Sequence, residues 1–249
     1  MSGHSKWSTI KHKKAATDAK RGKLFSKILK EITVAARIGG GDVKGNARLR
    51  AALLEARSNS VPGDNIDRAV KKGTGELESE VYEEIVYEGY GPGGVAMLVE
   101  AATDNRNRAA GEIRHAFARN GGNLGEAGCV AWMFSRRGYF ALDKGAMDEE
   151  KFMELALELG ADDVAIEEDV YEIYTPLEAY VSTQEELERR GIQPAASELA
   201  MVPQTTIEVP RDKISQVLRL IETLEDHDDV QKVWANLTID ENVLAAQSR

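Results

Sequence analysis

The 249-residue chain holds a single cysteine, Cys129. It can form no internal disulfide and no CxxC metal site, which fits a reducing cytosol. Histidine is almost as scarce. His4, His12, His115 and His227 are scattered, and no HExxH pairs two of them, so no metal is expected. No apolar run approaches the ~20 residues that a membrane-crossing helix needs. The basic start lacks an apolar stretch behind it and does not read as a secretory leader. Signatures of catalysis are also missing: there is no GxSxG, no P-loop and no kinase set. Cys129 has no His or Asp at a suggestive spacing and reads as a small buried thiol. Acid pairs such as Asp162-Asp163 and Glu167-Glu168-Asp169 read as solvated loops. No cofactor and no catalytic residue is expected, and the chain reads as a non-enzyme.

What the chain does have is charge, unevenly placed. Residues 1–75 hold 17 Lys+Arg and 6 Asp+Glu, a balance of +11, whereas residues 76–249 hold 15 and 36, a balance of −21. The contrast is sharpest in residues 1–30, with nine basic groups and one acid, Asp18. Such a segment attracts polyanions by Coulomb steering and counterion release. Lys6, Lys11, Lys13, Lys14, Lys20, Arg21, Lys23 and Lys27 are the expected phosphate contacts. His4 adds a titratable hydrogen-bonding group, and Trp7 a ring face for stacking on a base. The plain alternative is a solvated basic tail.

The second half of this segment has helical spacing. Lys20, Lys23, Lys27 and Lys30 fall within roughly 80° of one another, nearly opposite Phe25, Ile28, Leu29, Ile32 and Ala36. The helix is therefore expected to dock its apolar side on a core and show a lysine stripe to solvent, ending at Gly39-Gly40-Gly41. Asn46 to Arg57 carries Leu49, Ala52, Leu53 and Ala56 on one face. Asp64 is the expected cap of a short helix from Ile66 to Lys72, stopped by Gly73. Three helices thus account for residues 1–75.

After an acidic linker at 76–80, Val81 to Tyr90 and Val95 to Ala102 read as a hairpin turned by Gly91-Pro92-Gly93-Gly94. Asp104 is the expected cap of the following helix, which Gly121-Gly122 ends, and Val130 to Phe134 reads as a short strand. Residues 145–202 hold 16 acids and 3 basic groups, a distinct module. A strand at 139–142 precedes it, and it contains a helix over 148–159, strands at 164–166 and 170–175, and a capping box at Ser182-Thr183-Gln184-Glu185. Thr205 to Val209 reads as a strand, Ile214 to Leu224 as an amphipathic helix, and Val230 to Ile239 as a last strand. This final helix and strand are too small to stand alone. Packing them on the 81–134 sheet leaves 138–204 as an insertion.

Three stretches invite a binding role. Gly89 to Gly94 spells GxGxxG, but it lies between two strands, where a dinucleotide motif belongs between a strand and a helix. Tight-turn geometry explains its glycines. Asp104-Asn105-Arg106-Asn107-Arg108 opens a helix, where backbone N–H groups with Arg106 and Arg108 could hold a phosphate; a solvated helix start is the alternative. The glycine-rich loop 120–128 either closes on a partner or simply connects helix to strand.

GHSKW at 3–7, IKHKKAATDAKRGKLFSK at 10–27, DNIDRAVKKGTG at 64–75 and YEGYGPGGVAMLVEAATDNRNRAAGEIRHAFARNGGNLG at 87–125 resemble the YebC/PmpR family. A mitochondrial relative there is the translational activator of cytochrome c oxidase. The resemblance implies an α+β fold: an N-terminal three-helix module (1–75), a discontinuous α/β domain (76–137 plus 205–249), and an acidic α/β domain (138–204) inserted into it, the last two sandwich-type. It also implies a regulator of gene expression. The family is labelled as probable DNA-binding transcriptional regulators, and has also been assigned to translation, binding the ribosome and helping it through proline-rich stretches. DNA or ribosomal RNA, and the ribosome, are thus the implied partners. A basic protein recruited by the acidic module is a rival expectation. The family motif begins at Gly3, which leaves no room for a transit peptide, and a cytoplasmic location with no membrane partner is expected.

Overall fold

The computed structural model describes residues 18–239, with side chains from Arg21 onward. Helix α1 (Asp18–Gly39) stops as expected in the glycine run, where Gly40 takes φ +79°. Its Ile28, Ile32, Ala35 and Ala36 meet α2 (Ala47–Ser58) and α3 (Gly63–Thr74) in a small core with Leu49, Ala52, Leu53, Ala56 and Ala69. Asn46 joins two of these helices. Its Oδ1 accepts from the Leu49 N–H at 3.0 Å, capping α2, and its Nδ2 donates at 2.8 Å to Ala35 and Gly40 carbonyls near the end of α1.

Helix α3 corrects the expectation at both ends. It starts after Pro62 without a side-chain cap, and Gly75, at φ +85°, is the left-handed stop. Gly73 lies inside the helix and is buried, because α1 passes close by. A Cβ there would sit 2.5 Å from the Thr33 carbonyl oxygen and 2.6 Å from Ala36 Cβ. Gly73→Ala is therefore expected to destabilise the protein by about 1–3 kcal/mol through overpacking. A thermal melt reads this as a fall of about 2–4 °C per kcal/mol, and an unchanged melting temperature would refute the close approach.

Strands β1 (Glu83–Tyr90) and β2 (Ala96–Thr103) form the expected hairpin, in register from Glu83↔Thr103 to Tyr90↔Ala96. Gly93 and Gly94 take positive φ in the turn, so these glycines serve the bend. Helix α4 (Arg106–Arg119) leads to β3 (Asn123–Leu124), which pairs with the outer edge of β1. From the far end of the chain, β9 (Val230–Ala235) completes the sheet in the order β3-β1-β2-β9. Helices α4 and α7 (Ile214–Glu225) cover one face, burying Met97, Val99, Ile113, Phe117, Val217 and Ile221. Leu220 is buried in α7 and Leu218 only partly.

The second sheet, β5-β6-β4-β7, consists of β4 (Phe134–Asp143), β5 (Asp163–Ile166), β6 (Val170–Thr175) and β7 (Ala196–Pro203), all antiparallel. Helices α5 (Glu149–Glu158) and α6 (Tyr180–Arg189) cover one face over Phe140, Leu142, Phe152, Tyr171 and Leu187. The other face, with Tyr139, Ala141, Tyr174 and Ala200, packs on Ala96, Leu98 and Trp234 of the first sheet. The layers run helices, sheet, sheet, helices, an α+β fold whose two sheets share a core.

Several local expectations change. Residues 131–133 form a 3₁₀ turn, and β4 runs from Phe134 across position 138, where the inserted segment was expected to begin. Helix α6 starts at Tyr180, so the expected capping box lies within it, with Thr183 buried and the Ser182 hydroxyl donating to the Ala179 carbonyl. The last strand breaks at Asn236. Its backbone N–H donates to Ala96 O (3.1 Å) while its side-chain Oδ1 accepts the Ala96 N–H (2.8 Å). Beyond it, β10 (Leu237–Thr238) pairs in parallel with β8 (Ile207–Glu208), all that forms of the strand expected at 205–209. Among the described residues, no helix is long and apolar enough to cross a membrane.

Candidate nucleic-acid interface

Helix α7 has no basic residue in its last turn, although the terminal carbonyls of a helix are unbonded and carry partial negative charge. Helix α1 supplies the cations. Lys27 Nζ donates to Glu225 O at 2.6 Å, Lys23 Nζ to Asp226 O at 3.1 Å, and Lys30 Nζ to Asp228 O at 3.0 Å and Ala102 O at 3.1 Å. Lys30 also lies 3.4 Å from Asp229 Oδ1 and 4.9 Å from the Tyr82 ring centroid. The expectation of a lysine stripe facing solvent is thus corrected for Lys27 and Lys30, whereas Lys23 stays exposed while reaching Asp226. All three join the helical module to α7. Arg48 adds a second tie, with Nε on Glu31 at 2.7 Å and Nη1 on Glu84 at 2.9 Å. Its hydrogen bond holds the Glu84 carboxyl below the usual range.

The start of α4 is also occupied. Asn105, not Asp104, is the N-cap, accepting the Arg108 N–H at 3.1 Å. Arg108 Nη2 bonds Asp104 Oδ1 at 2.7 Å and Asp229 Oδ2 at 2.8 Å, and Arg106 Nη1 lies 3.0 Å from Glu83. Asp229 further accepts from the Thr103 hydroxyl at 2.9 Å. Burial pushes its carboxyl up, but Arg108, Thr103 and Lys30 outweigh this and hold it below the usual range. A phosphate placed at Arg108 Nη2 would have to displace two carboxylates.

The glycine-rich loop is stitched down. The Glu88 carboxylate accepts the N–H of Gly128 at 2.6 Å and those of Val130 and Ala131 at 2.8 Å, while Glu88 O accepts from Gly125. Burial pushes Glu88 up, but the three donors outweigh it and its carboxyl stays below the usual range. An acid within a strand gave no sequence signal for this role. Cys129, half-buried in the same loop, has its thiol pushed up by burial and by the Glu88 charge, which disfavours a nucleophilic thiolate. Among the described residues, no group of three metal-ligating side chains forms.

Of the residues that the sequence singled out, Arg21 is exposed at the start of α1. His4, Lys6, Trp7, Lys11, Lys13 and Lys14 lie outside the described residues, as does the side chain of Lys20. The structure therefore brings Lys23 and Lys27 together with α7, and Arg106 and Arg108 with acidic partners.

Comparison with known proteins covers nearly the whole chain. Residues 5–76 match the model of the TACO1/YebC protein N-terminal domain, and residues 82–237 that of the TACO1/YebC second and third domain. A protein of Syntrophobacter fumaroxidans is 58% identical over 98% of both chains, and one of Geobacter sulfurreducens 57% identical over 96% of both. Each is named a probable transcriptional regulatory protein. The crystal structure of a conserved hypothetical protein from Aquifex aeolicus superposes with a TM-score of 0.85 at 47% identity, covering 93% of this chain and 96% of that one. The chain belongs to the TACO1/YebC family.

Proposed function

We propose that the protein is a non-enzymatic, cytoplasmic, nucleic-acid-binding regulator of gene expression that grips its target through the basic N-terminal segment. The observation that carries this reading is the charge split, +11 over residues 1–75 against −21 over the remainder. Lys6, Lys11, Lys13, Lys14, Lys20 and Arg21 supply phosphate contacts, and His4 and Trp7 reach bases or sugars. Lys23 and Lys27 position this segment by holding α1 on α7, Arg108 serves the same junction through Asp229, and Arg106 ties α4 to Glu83 of β1. The names of the relatives support a transcriptional role.

A second reading, RNA binding in translation with the ribosome as partner, is favoured by the state of α1. A helix that reads duplex DNA enters the major groove with base-reading side chains along one face. Here the Lys23–Lys30 edge is engaged on α7, and lysines suit phosphates better than base edges. The acidic residues of 145–202 suit a basic protein. The test is a competition at physiological salt between ribosomal RNA, random duplex DNA and a selected duplex. RNA is expected to compete well, with DNA binding weak in sequence preference and steeply salt-dependent. A selected DNA site winning by about 10³-fold would overturn the RNA reading and restore the transcriptional one.

A further inference from the structure

Leu157 is 77% exposed and Met153 39%, although α5, which carries both, already buries Phe152, Leu155 and Ala156 on the second sheet. One apolar stripe is enough to dock a helix, so these two side chains have no part in the core. Their spacing is helical as well. Glu150, Met153, Glu154 and Leu157 stand at i, i+3, i+4 and i+7, and all four are exposed. They therefore form one stripe on the outer side of α5. Acids in a first turn, such as Glu149 and Glu150, complement the helix dipole. Glu154, in the middle of the helix, and the apolar pair have no such local reason.

The charge around the stripe is one-sided. Residues 145–202 hold 16 acids and three cations, Lys151, Arg189 and Arg190. All three cations are engaged within the domain. Lys151 meets Asp148 at 2.8 Å, Arg189 meets Glu186, and Arg190 bonds both Glu186 and Glu158, which ties the end of α6 to the end of α5. Among the described residues, Glu149, Glu150 and Glu154 enter no ion pair. The outer side of α5 thus presents an apolar pair beside carboxylates that nothing in the domain neutralises.

We propose that this stripe docks a lysine- or arginine-rich protein segment, which lays an apolar side chain on Met153 and Leu157 and its cations on Glu150 and Glu154. Charge selects the occupant. Nucleic acids and anionic lipid surfaces are polyanions, and an excess of unpaired acids repels them. An uncharged apolar ligand would cover the carboxylates without pairing them, which is costly. A long basic side chain meets both needs, since its alkyl stem covers apolar surface while its head reaches a carboxylate. The inference locates the basic-protein contact raised above and does not depend on which nucleic acid the protein binds.

The test uses the full-length protein and three peptide probes of equal length: an amphipathic leucine–lysine helix, oligolysine, and the leucine helix with glutamate for lysine. The leucine–lysine peptide is expected to bind tightest and the glutamate peptide not at all. Met153→Ser with Leu157→Ser should weaken the leucine–lysine peptide about tenfold, the scale of a lost interface anchor, and leave oligolysine within about twofold. Glu150→Gln with Glu154→Gln should weaken both lysine peptides about threefold at low salt, a difference that fades at high salt. Glu76→Gln with Glu78→Gln, exposed acids on the linker after α3, should change nothing. All the variants replace exposed side chains and should melt with the wild type. A wild type that binds no lysine peptide, undiminished affinity in the serine variant, or an equal loss in the linker variant would each overturn the site. Tighter peptide binding after deletion of residues 2–17 would make the chain's own basic segment the occupant, and a dimer lost in the serine variant would make it a second copy. Either result overturns a separate basic partner. Nucleic-acid affinity should be the same in every point variant, so failure of the docking site leaves the nucleic-acid reading standing.

Discussion

Deleting residues 2–17 is expected to lower affinity for duplex nucleic acid about a thousandfold at ~0.15 M salt. The deletion removes Lys6, Lys11, Lys13 and Lys14. Each cation that neutralises a phosphate steepens the dependence of log K on log salt by about 0.9. Four of them correspond to a slope of about 3–4, which between ~1 M and ~0.15 M salt amounts to about three powers of ten. The cut falls before Asp18 for a structural reason. Lys23, Lys27 and Lys30 hold α1 against α7, so a deeper deletion would confuse lost binding with a lost junction. Anisotropy titrations over a series of salt concentrations measure the slope directly. A thermal melt should match that of the full chain. Retained affinity with an unchanged slope would place the interface elsewhere and remove the main support for the proposed function.

The largest expected effect on stability is that of Asp229→Ala, about 3–5 kcal/mol, the cost of removing one partner from a buried charge network. Asp229 is 5% exposed and meets Arg108 at 2.8 Å, Thr103 Oγ1 at 2.9 Å and Lys30 at 3.4 Å. Its loss leaves Lys30, whose side chain is only 14% exposed, without its carboxylate partner. Asp229→Asn should cost less, because an amide oxygen still accepts from Thr103. The same network sets an acid limit. A folded-state carboxyl held below its unfolded value contributes stability that is full above the unfolded pKa, about 4. That contribution is lost as pH falls through the lower folded value. Urea unfolding should therefore show the wild type losing stability below about pH 4 more steeply than Asp229→Ala. A variant within about 1 kcal/mol of wild type, with the same acid profile, would show the junction to be incidental.

Much of this architecture was legible in the chain, because it rests on short-range chemistry. The spacing of Leu49, Ala52, Leu53 and Ala56, and of Phe152, Leu155 and Ala156, marks a single buried stripe on each helix, and those residues are buried. Glycines at Gly40, Gly121 and Gly160 end helices by taking positive φ, a property of one residue and its neighbours. The first hairpin follows from apolar runs flanking a glycine turn.

Elsewhere the outcome depended on groups far away in sequence. Nothing around Gly73 says that the Thr33 carbonyl will pass where its side chain would be. Strand β7 has no clean alternation, with Ala196 and Ala200 buried and the residues between them half-buried, and it exists because β4 offers it an edge. The final strand breaks at Asn236 because its amide, rather than a backbone group, accepts the Ala96 N–H. The lysine edge of α1 shows the limit most plainly. Periodicity places Lys23, Lys27 and Lys30 on one side of a helix, but a helix carries no information about what lies opposite. Their partners are residues 102 and 225–229, and only folding brings those carbonyls and carboxylates within 3.4 Å of the ammonium groups. Local spacing decides where a charge points, and the tertiary structure decides whether it meets solvent, an external phosphate or the end of another helix.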